Sequence, residues 1–228
     1  MLFIKQLFAF LKDPTNTQSG VDFVSNVAMQ DNFATNFIKK MISFDDSTMQ
    51  LLMKPNFKEY ILQPLNIEYL KTLPKNTLGF QYANQMIQNN FQELSYSAEF
   101  NPLKDIYVRY AANFLKFHEV HHILLGIPFS VVGEFVIIDF FSHKDIKGLP
   151  LRTFAFLTQA SFYISHIHKP QQILKFWKLI NRLKQKVEIT AILTSINMVE
   201  LLETDTDEVR KQLRIVPFGD EDFAIFSK

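Results

Sequence analysis

Apolar residues recur three and four positions apart along most of the chain, the spacing that gathers them on one face of an α-helix. At the N-terminus Phe3, Ile4, Leu7, Phe8 and Leu11 share a face while Lys5, Gln6 and Lys12 lie elsewhere, which predicts an amphipathic helix over about 2–12. Asp13-Pro14 stops it, and residues 13–20 read as a loop. Helices are expected around 21–30 and 32–43, and another begins in FDDSTMQLLMK with Asp46 or Ser47 as N-cap. Pro55 and Pro64 then break the chain.

Residues 66–91 read as a short helix, a turn at 74–77 and a longer helix with Leu78, Tyr82, Met86 and Ile87 along one stripe. Gly79, near its start, permits a close neighbour. From Asp105 to Leu125 one helix is predicted, with Ile106, Tyr107, Tyr110, Phe114, Phe117, His121 and Leu124 tracking a face. Gly126 and Pro128 end it. Further helices fit 130–141, 151–167, 170–185, 187–203 and 205–213, the last capped by Asp205 or Thr206. Period-two alternation occurs only in the tail, DFAIFSK. The pattern predicts an all-α protein: a single compact multi-helix domain over 1–228 with short connections.

Composition supports that picture. The 228 residues are 47% hydrophobic, enough for a sizeable core, and only 6 are glycine, which argues against a turn-dense β protein. The 24 phenylalanines imply a large aromatic core or an apolar cavity lined by rings. A net charge of +1 gives no global field to attract nucleic acid, so no nucleic-acid partner is expected. No cysteine is present, so any metal must be held by histidine and carboxylate. No apolar run is long enough to cross a membrane, and the N-terminus lacks the basic start and cleavage site of a signal peptide. For a bacterial chain this fits a cytoplasmic or peripheral membrane setting. The amphipathic helix at 2–12 could rest on a membrane surface, or pack on the core or on a partner subunit.

Candidate chemistry concentrates in HEVHHILLGIPFSVVGE, residues 118–134. His118 and His122, four apart, sit on one helical face and can present two imidazoles to one cation. Glu119 can be a ligand, a carboxylate hydrogen-bonded behind the ligands, or a general base. The Gly126/Pro128 break lets the chain reverse, so Glu134 can return from the next helix as a further ligand. Two imidazoles with one or two carboxylates leave room for water or substrate, the pattern of catalytic rather than closed zinc sites. Two imidazoles favour zinc or iron, while carboxylates accept magnesium as well.

Two other readings compete. Literally, HEVHH fits the H-E-x-x-H of zinc proteases. The metzincin extension is excluded, because Leu125 and Pro128 occupy its glycine and third-histidine positions. The twelve-residue step from His122 to Glu134 is tight for a zincin, and no strand-edge cleft is visible. The other alternative is a buried helix whose histidines satisfy each other. It would bury carboxylates without a cation, which is costly. His121 points away from the pair and reads as packed, while His143, His166 and His168 read as surface or loop residues.

The motif's wider spacing is similar to that of the coenzyme Q biosynthesis protein 4 family, which carries H-D-x-x-H, eleven residues and a glutamate. Here the match is His118, Glu119, His122, eleven intervening residues and Glu134, with Leu124-Leu125-Gly126 and Gly133-Glu134 as matching flanks. YLKTLPKNTLGFQYANQMIQNNF and VELLETDTDEVRKQLRI resemble two more of that family's segments, so the likeness covers about 65–216. Glu119 replaces the family's aspartate, Asn76 its turn glycine and Val199 its tryptophan, the marks of a divergent member. The resemblance implies an all-helical homodimer holding a divalent metal through His118, Glu119, His122 and Glu134. It implies ubiquinone synthesis at membranes beside other quinone biosynthesis proteins. Two roles follow: exchange of a ring carboxyl for hydroxyl at carbon one of a prenylated quinone precursor, or a non-catalytic lipid-binding scaffold. Phe114, Phe117, Phe129 and Phe135, with Phe140 and Phe141, surround the motif and could line a groove for a prenyl tail or could simply be core. Burying one five-carbon unit would contribute roughly 3 kcal/mol, so a few units could anchor a substrate.

Overall fold

The computed structural model describes residues 39, 43–91, 101, 103–144 and 149–226. The helices expected at 2–12 and 21–30, and nearly all of 32–43, lie outside these residues. Within them the order is α1 (Asp46–Leu52), α2 (Phe57–Leu62), α3 (Ile67–Leu70), α4 (Leu78–Gln88), α5 (Ile106–Lys116), α6 (His118–Leu125), α7 (Val131–Lys144), α8 (Leu149–Ser165), α9 (Pro170–Ile189), α10 (Thr206–Gln212) and α11 (Asp220–Phe223). Among the described residues there is no strand; an isolated antiparallel β-bridge pairs Thr77 with Asp205. The all-α expectation holds.

Several boundaries differ from the sequence reading, each for a local reason. Asp45, not Asp46 or Ser47, caps α1, because its carboxylate accepts from the Ser47 and Thr48 amides. The long helix expected over 105–125 divides at Phe117, whose φ of −108° and ψ of 13° leave the helical region. The helix from Pro170 runs on to Ile189 rather than stopping at 185, and no helix follows over 187–203. There Thr190 turns extended while its hydroxyl bonds the Lys186 carbonyl at 2.8 Å, and only short 3-10 turns form at Leu193–Ser195 and Met198–Leu201. The alternating tail is helical, α11 followed by a 3-10 turn at Ala224–Phe226.

The main core is built from α4, α6, α7, α8 and α9 together with the C-terminal segment. From Val132 to Ser142 every face of α7 is buried or half-buried, and it packs against both α8 and α9. A smaller cluster gathers Leu52, Phe57, Ile61, Val108, Tyr110, Ala111 and Ala112, and Tyr60 and Phe114 pack against both clusters. On α4, Leu78, Tyr82 and Met86 are buried as expected, whereas Ile87 is exposed. Gly79 answers its expectation: a Cβ there would stand 2.7 Å from the Leu202 carbonyl oxygen, the same atom that accepts from the Gly79 amide. That contact ties the 69–91 segment to the one before α10. The Leu78 amide donates to Thr204, the Thr206 amide donates to Asn76, and the Asn76 side chain bonds Asp205.

Candidate metal centre

The site is made where α6 ends and α7 begins. Gly126 sits at φ +65°, the left-handed conformation that suits glycine at a helix C-terminus. A helix leaves its last four carbonyls without internal partners, and α6 has all four satisfied. The Ile127 amide reaches His122, the Gly126 amide reaches Ile123, the Arg210 guanidinium reaches Ile123 and Leu124, and the Phe218 amide reaches Leu125. The chain then reverses, and α7 starts with the Glu134 amide bonded to the Ser130 carbonyl and the Gly133 amide to the Ser130 hydroxyl. Gly133 is required for this turn, because a Cβ there would collide with the Pro128 carbonyl oxygen.

This reversal brings Glu134 back to the histidines. His118 Nε2 lies 3.0 Å from Glu134 Oε2, His122 Nε2 lies 3.2 Å from Glu134 Oε1, and the two Nε2 atoms are 3.1 Å apart. Ligand atoms about 2.0–2.1 Å from a cation stand about 2.9 Å apart in an octahedron and about 3.3 Å apart in a tetrahedron. These three separations, which involve both Glu134 oxygens, fall within that range, so these donors fit a small divalent cation. The tautomer of His122 fits too. Its Nδ1 is 3.1 Å from the Ile127 carbonyl, which can only accept, so Nδ1 carries the proton and Nε2 keeps its lone pair for a ligand role. Potential ligand atoms of His118, Glu119 and His122 all lie within 4.8 Å of one another. Glu119 Oε2 is buried without a hydrogen-bond partner, as is His118 Nδ1.

The electrostatics follow from these distances. Burial by itself would push the His118 imidazolium down, but the Glu134 carboxylate, by charge and by hydrogen bond, lifts it to about 9, with Glu119 adding to the effect. Burial by itself would raise Glu134, but the charges and hydrogen bonds of the two imidazoles hold it well below the usual carboxylate range. His121 is pushed far down, chiefly by burial, with the nearby His118 and His122 rings adding to the effect. It packs as a neutral ring against Phe114 and Phe141, as expected for a residue facing away from the pair.

The aromatic residues near the motif divide in two. Phe117 and Phe135 are core residues, as are Phe140 and Phe141. Phe114 meets His118 edge-on at 5.4 Å and Phe129 stacks on His122 at 4.9 Å, so both remain half-buried beside the imidazoles. His143 ends α7 with its ring toward Asp139, His166 stacks on Phe162, and His168 is exposed in the turn. Sequence reasoning missed Arg210, Ile127 and Ser130. Arg210 stands in a motif-bearing segment, but nothing local reveals which carbonyls it reaches 86 and 87 positions away. The strand-edge cleft of a zinc protease is not formed among the described residues.

Similarity to known proteins agrees with the motif. The family model for coenzyme Q (ubiquinone) biosynthesis protein Coq4 matches residues 1–218, well beyond the three resembling segments. The chain is 26% identical over 183 residues to a mitochondrial ubiquinone biosynthesis protein COQ4 of Candida tropicalis, covering 78% of this chain and 52% of that one. It is 28% identical over 166 residues to the corresponding protein of Ajellomyces capsulatus, covering 67% and 53%. The chain thus spans about half the length of the curated relatives it matches. Those relatives are named mitochondrial, unlike the cytoplasmic or peripheral-membrane setting expected from the sequence; no helix among the described residues is long and apolar enough to cross a membrane. A crystal structure of a Nostoc punctiforme protein named for ubiquinone biosynthesis superposes with a TM-score of 0.62 at 17% identity, covering 92% of this chain and 95% of that one. That likeness extends the agreement to the fold. With a family model matched across nearly the whole sequence and its motif assembled in space, the chain belongs to the coenzyme Q (ubiquinone) biosynthesis protein Coq4 family.

Proposed function

We propose that the chain works in ubiquinone synthesis by binding a prenylated aromatic carboxylic acid at a divalent metal held by His118, His122 and Glu134. The observation that carries this reading is the set of 3.0–3.2 Å separations among two imidazole nitrogens and the two Glu134 oxygens, from two helices, with the His122 tautomer fixed for ligation. When bound, the cation would supply Lewis acidity toward a ring oxygen or carboxylate of the substrate. Zinc or iron suits the two imidazoles better than magnesium does.

The chain's own residues supply the rest. Glu119 Oε2, buried and without a hydrogen-bond partner, can hold or accept a proton beside the ring. Phe114 and Phe129 flank the imidazoles and can exclude water while stacking on an aromatic substrate or a prenyl unit. Membership in the family supports the substrate class; the two half-buried rings support an aromatic, apolar ligand.

The test is turnover of a prenylated hydroxybenzoate by purified protein with metal added and air as oxidant, since exchanging a carboxyl for a hydroxyl removes two electrons from the substrate. Phenol product that disappears in Glu119→Gln while metal is retained supports the reading. Tight lipid binding without product at any metal loading would instead assign the chain a lipid-binding scaffold role.

A further inference from the structure

The segment between α10 and α11 lies against the turn that ends α6. The Phe218 amide donates to the Leu125 carbonyl at 2.8 Å. A Cβ on Gly126 would collide with the Phe218 carbonyl oxygen, so the two stretches of backbone meet with no room for a side chain between them. One residue beyond Gly126, the Ile127 carbonyl faces His122 Nδ1 at 3.1 Å and accepts its proton. Whatever seats residues 216–218 therefore also seats the carbonyl that sets the His122 tautomer.

A lysine on α9 is placed to do this. Lys186 Nζ donates to the Val216 carbonyl at 2.9 Å and to the Pro217 carbonyl at 2.6 Å, and it lies 4.6 Å from the centroid of the Phe218 ring. One turn earlier on the same face, Arg182 pairs with Asp222, whose other oxygen accepts from the Gly219 amide at 3.1 Å. Ile215 and Phe218 are buried and hold the segment on the core. Apolar burial is non-directional, however, and does not decide where a peptide plane points. A charged donor shared by two consecutive carbonyls does, because each bond is both stronger than a neutral one and directional.

We infer that Lys186 is a positioning residue for His122. Through residues 216–218 and the Gly126 turn it keeps the Ile127 carbonyl aimed at Nδ1, and so keeps the Nε2 lone pair turned toward Glu134 and His118. Its bearing on metal affinity rests on the proposed metal centre; its bearing on the imidazole does not.

The test reads the imidazole before any metal is added. In metal-free, isotope-labelled full-length protein, ring-nitrogen NMR of His122, assigned by its loss in His122→Ala, should show one tautomer with the proton on Nδ1. Lys186→Met keeps the aliphatic stem and removes the donors. Its His122 ring should populate both tautomers, and its zinc affinity in a titration should fall about fivefold, short of the roughly 10–100-fold cost of losing a group bonded directly to a ligand. Lys186→Arg, which keeps a charged donor over the ring, should restore most of both. Asp45→Ala, which uncaps α1, should lower the melting temperature without moving either readout, separating the effect from loss of stability alone. A mixed tautomer in the wild type, or an Nδ1 tautomer that persists in Lys186→Met, overturns the inference and leaves Ile215 and Phe218 to seat the segment. Zinc affinity unchanged in a variant whose tautomers mix overturns it too, as do equal losses in the methionine and arginine variants, which mark a packing defect. Wild-type protein that takes up no zinc fails the metal centre alone, since the tautomer still reports what Lys186 does.

Discussion

Glu134 and Asp139 lie five positions apart on α7, both carboxylates turned into the protein, and their surroundings drive them in opposite directions. Glu134 faces α6, with two imidazole nitrogens at 3.0 and 3.2 Å, and is held well below the usual carboxylate range. Asp139 lies on the side of α8 and α9. One of its oxygens accepts from Gln159, and the other has no hydrogen-bond partner, with the His143 ring 3.7 Å away. Burial pushes Asp139 up, against the pull of His143, Lys184 and Gln159. Burial opposes the charged form at both positions, so the difference comes from what each helix sets opposite the carboxylate. A carboxylate set against two imidazoles is poised to hold a cation; one whose burial outweighs the pull of its polar neighbours is poised to keep its proton.

The largest expected effect lies on the Glu134 side. Glu134→Gln should weaken divalent-metal binding by more than about a hundredfold in a titration, since losing a ligand exceeds the 10–100-fold cost of losing a partner behind one. Wild-type affinity in that variant would reduce Glu134 to a hydrogen-bond partner of His118 and erase the contrast with Asp139.

The same contrast has a pH signature. His118 holds its proton up to about 9 in metal-free protein, so a binding metal must displace it. Metal affinity should rise about tenfold per pH unit between about 7 and 9 and flatten above, as one released proton requires. Stability of the metal-free protein carries the sign. The raised imidazole contributes stability that is full below its ordinary 6.5 and lost as pH rises through about 9. The lowered Glu134 contributes stability that is full above its ordinary 4.5 and lost only in strong acid. Thermal melts of metal-free protein across pH would reveal both limits.

Arg210→Ala separates the ligands from the helix that carries them. It strips a charged donor from the Ile123 and Leu124 carbonyls and should destabilise the fold by about 2 kcal/mol in urea. Arg210→Lys should recover only part of this, because a single ammonium does not reproduce the guanidinium's two-point contact.

The smallest effect belongs to Asp139. Asp139→Asn should gain about 1 kcal/mol near neutral pH by removing a buried charge whose neighbours do not offset its desolvation. Because its folded value is raised, the wild-type carboxyl favours the folded state in acid and loses that contribution as pH rises above its ordinary 3.8. The variant should lack that slope in denaturation measured at several pH values.

Most of the fold, and the ligand set as a hypothesis, were legible in the sequence. The 3.6-residue period placed most helices, and the i, i+4 histidines, the Gly126 stop and the returning Glu134 specified a site that long-range packing then assembled. What stayed hidden depends on contacts distant in sequence or on single dihedrals. The division at Phe117 is one residue leaving the helical region inside an otherwise helical pattern. The segment after Ile189 keeps apolar spacing but turns extended at Thr190, whose hydroxyl donates to the Lys186 carbonyl, and continues in tight turns. The tautomer of His122 is set by the Ile127 carbonyl, and no spacing rule announces it. The fate of the phenylalanines was likewise decided by packing. The same residue type fills the core at 117 and 135 and flanks the imidazoles at 114 and 129.

Elemental analysis of purified wild-type protein beside His118→Ala/His122→Ala tests the central claim most directly. The expected result is about one divalent metal per chain in the wild type and none in the double variant, whose remaining carboxylates cannot replace two imidazoles. Equal metal content in the two proteins would contradict it.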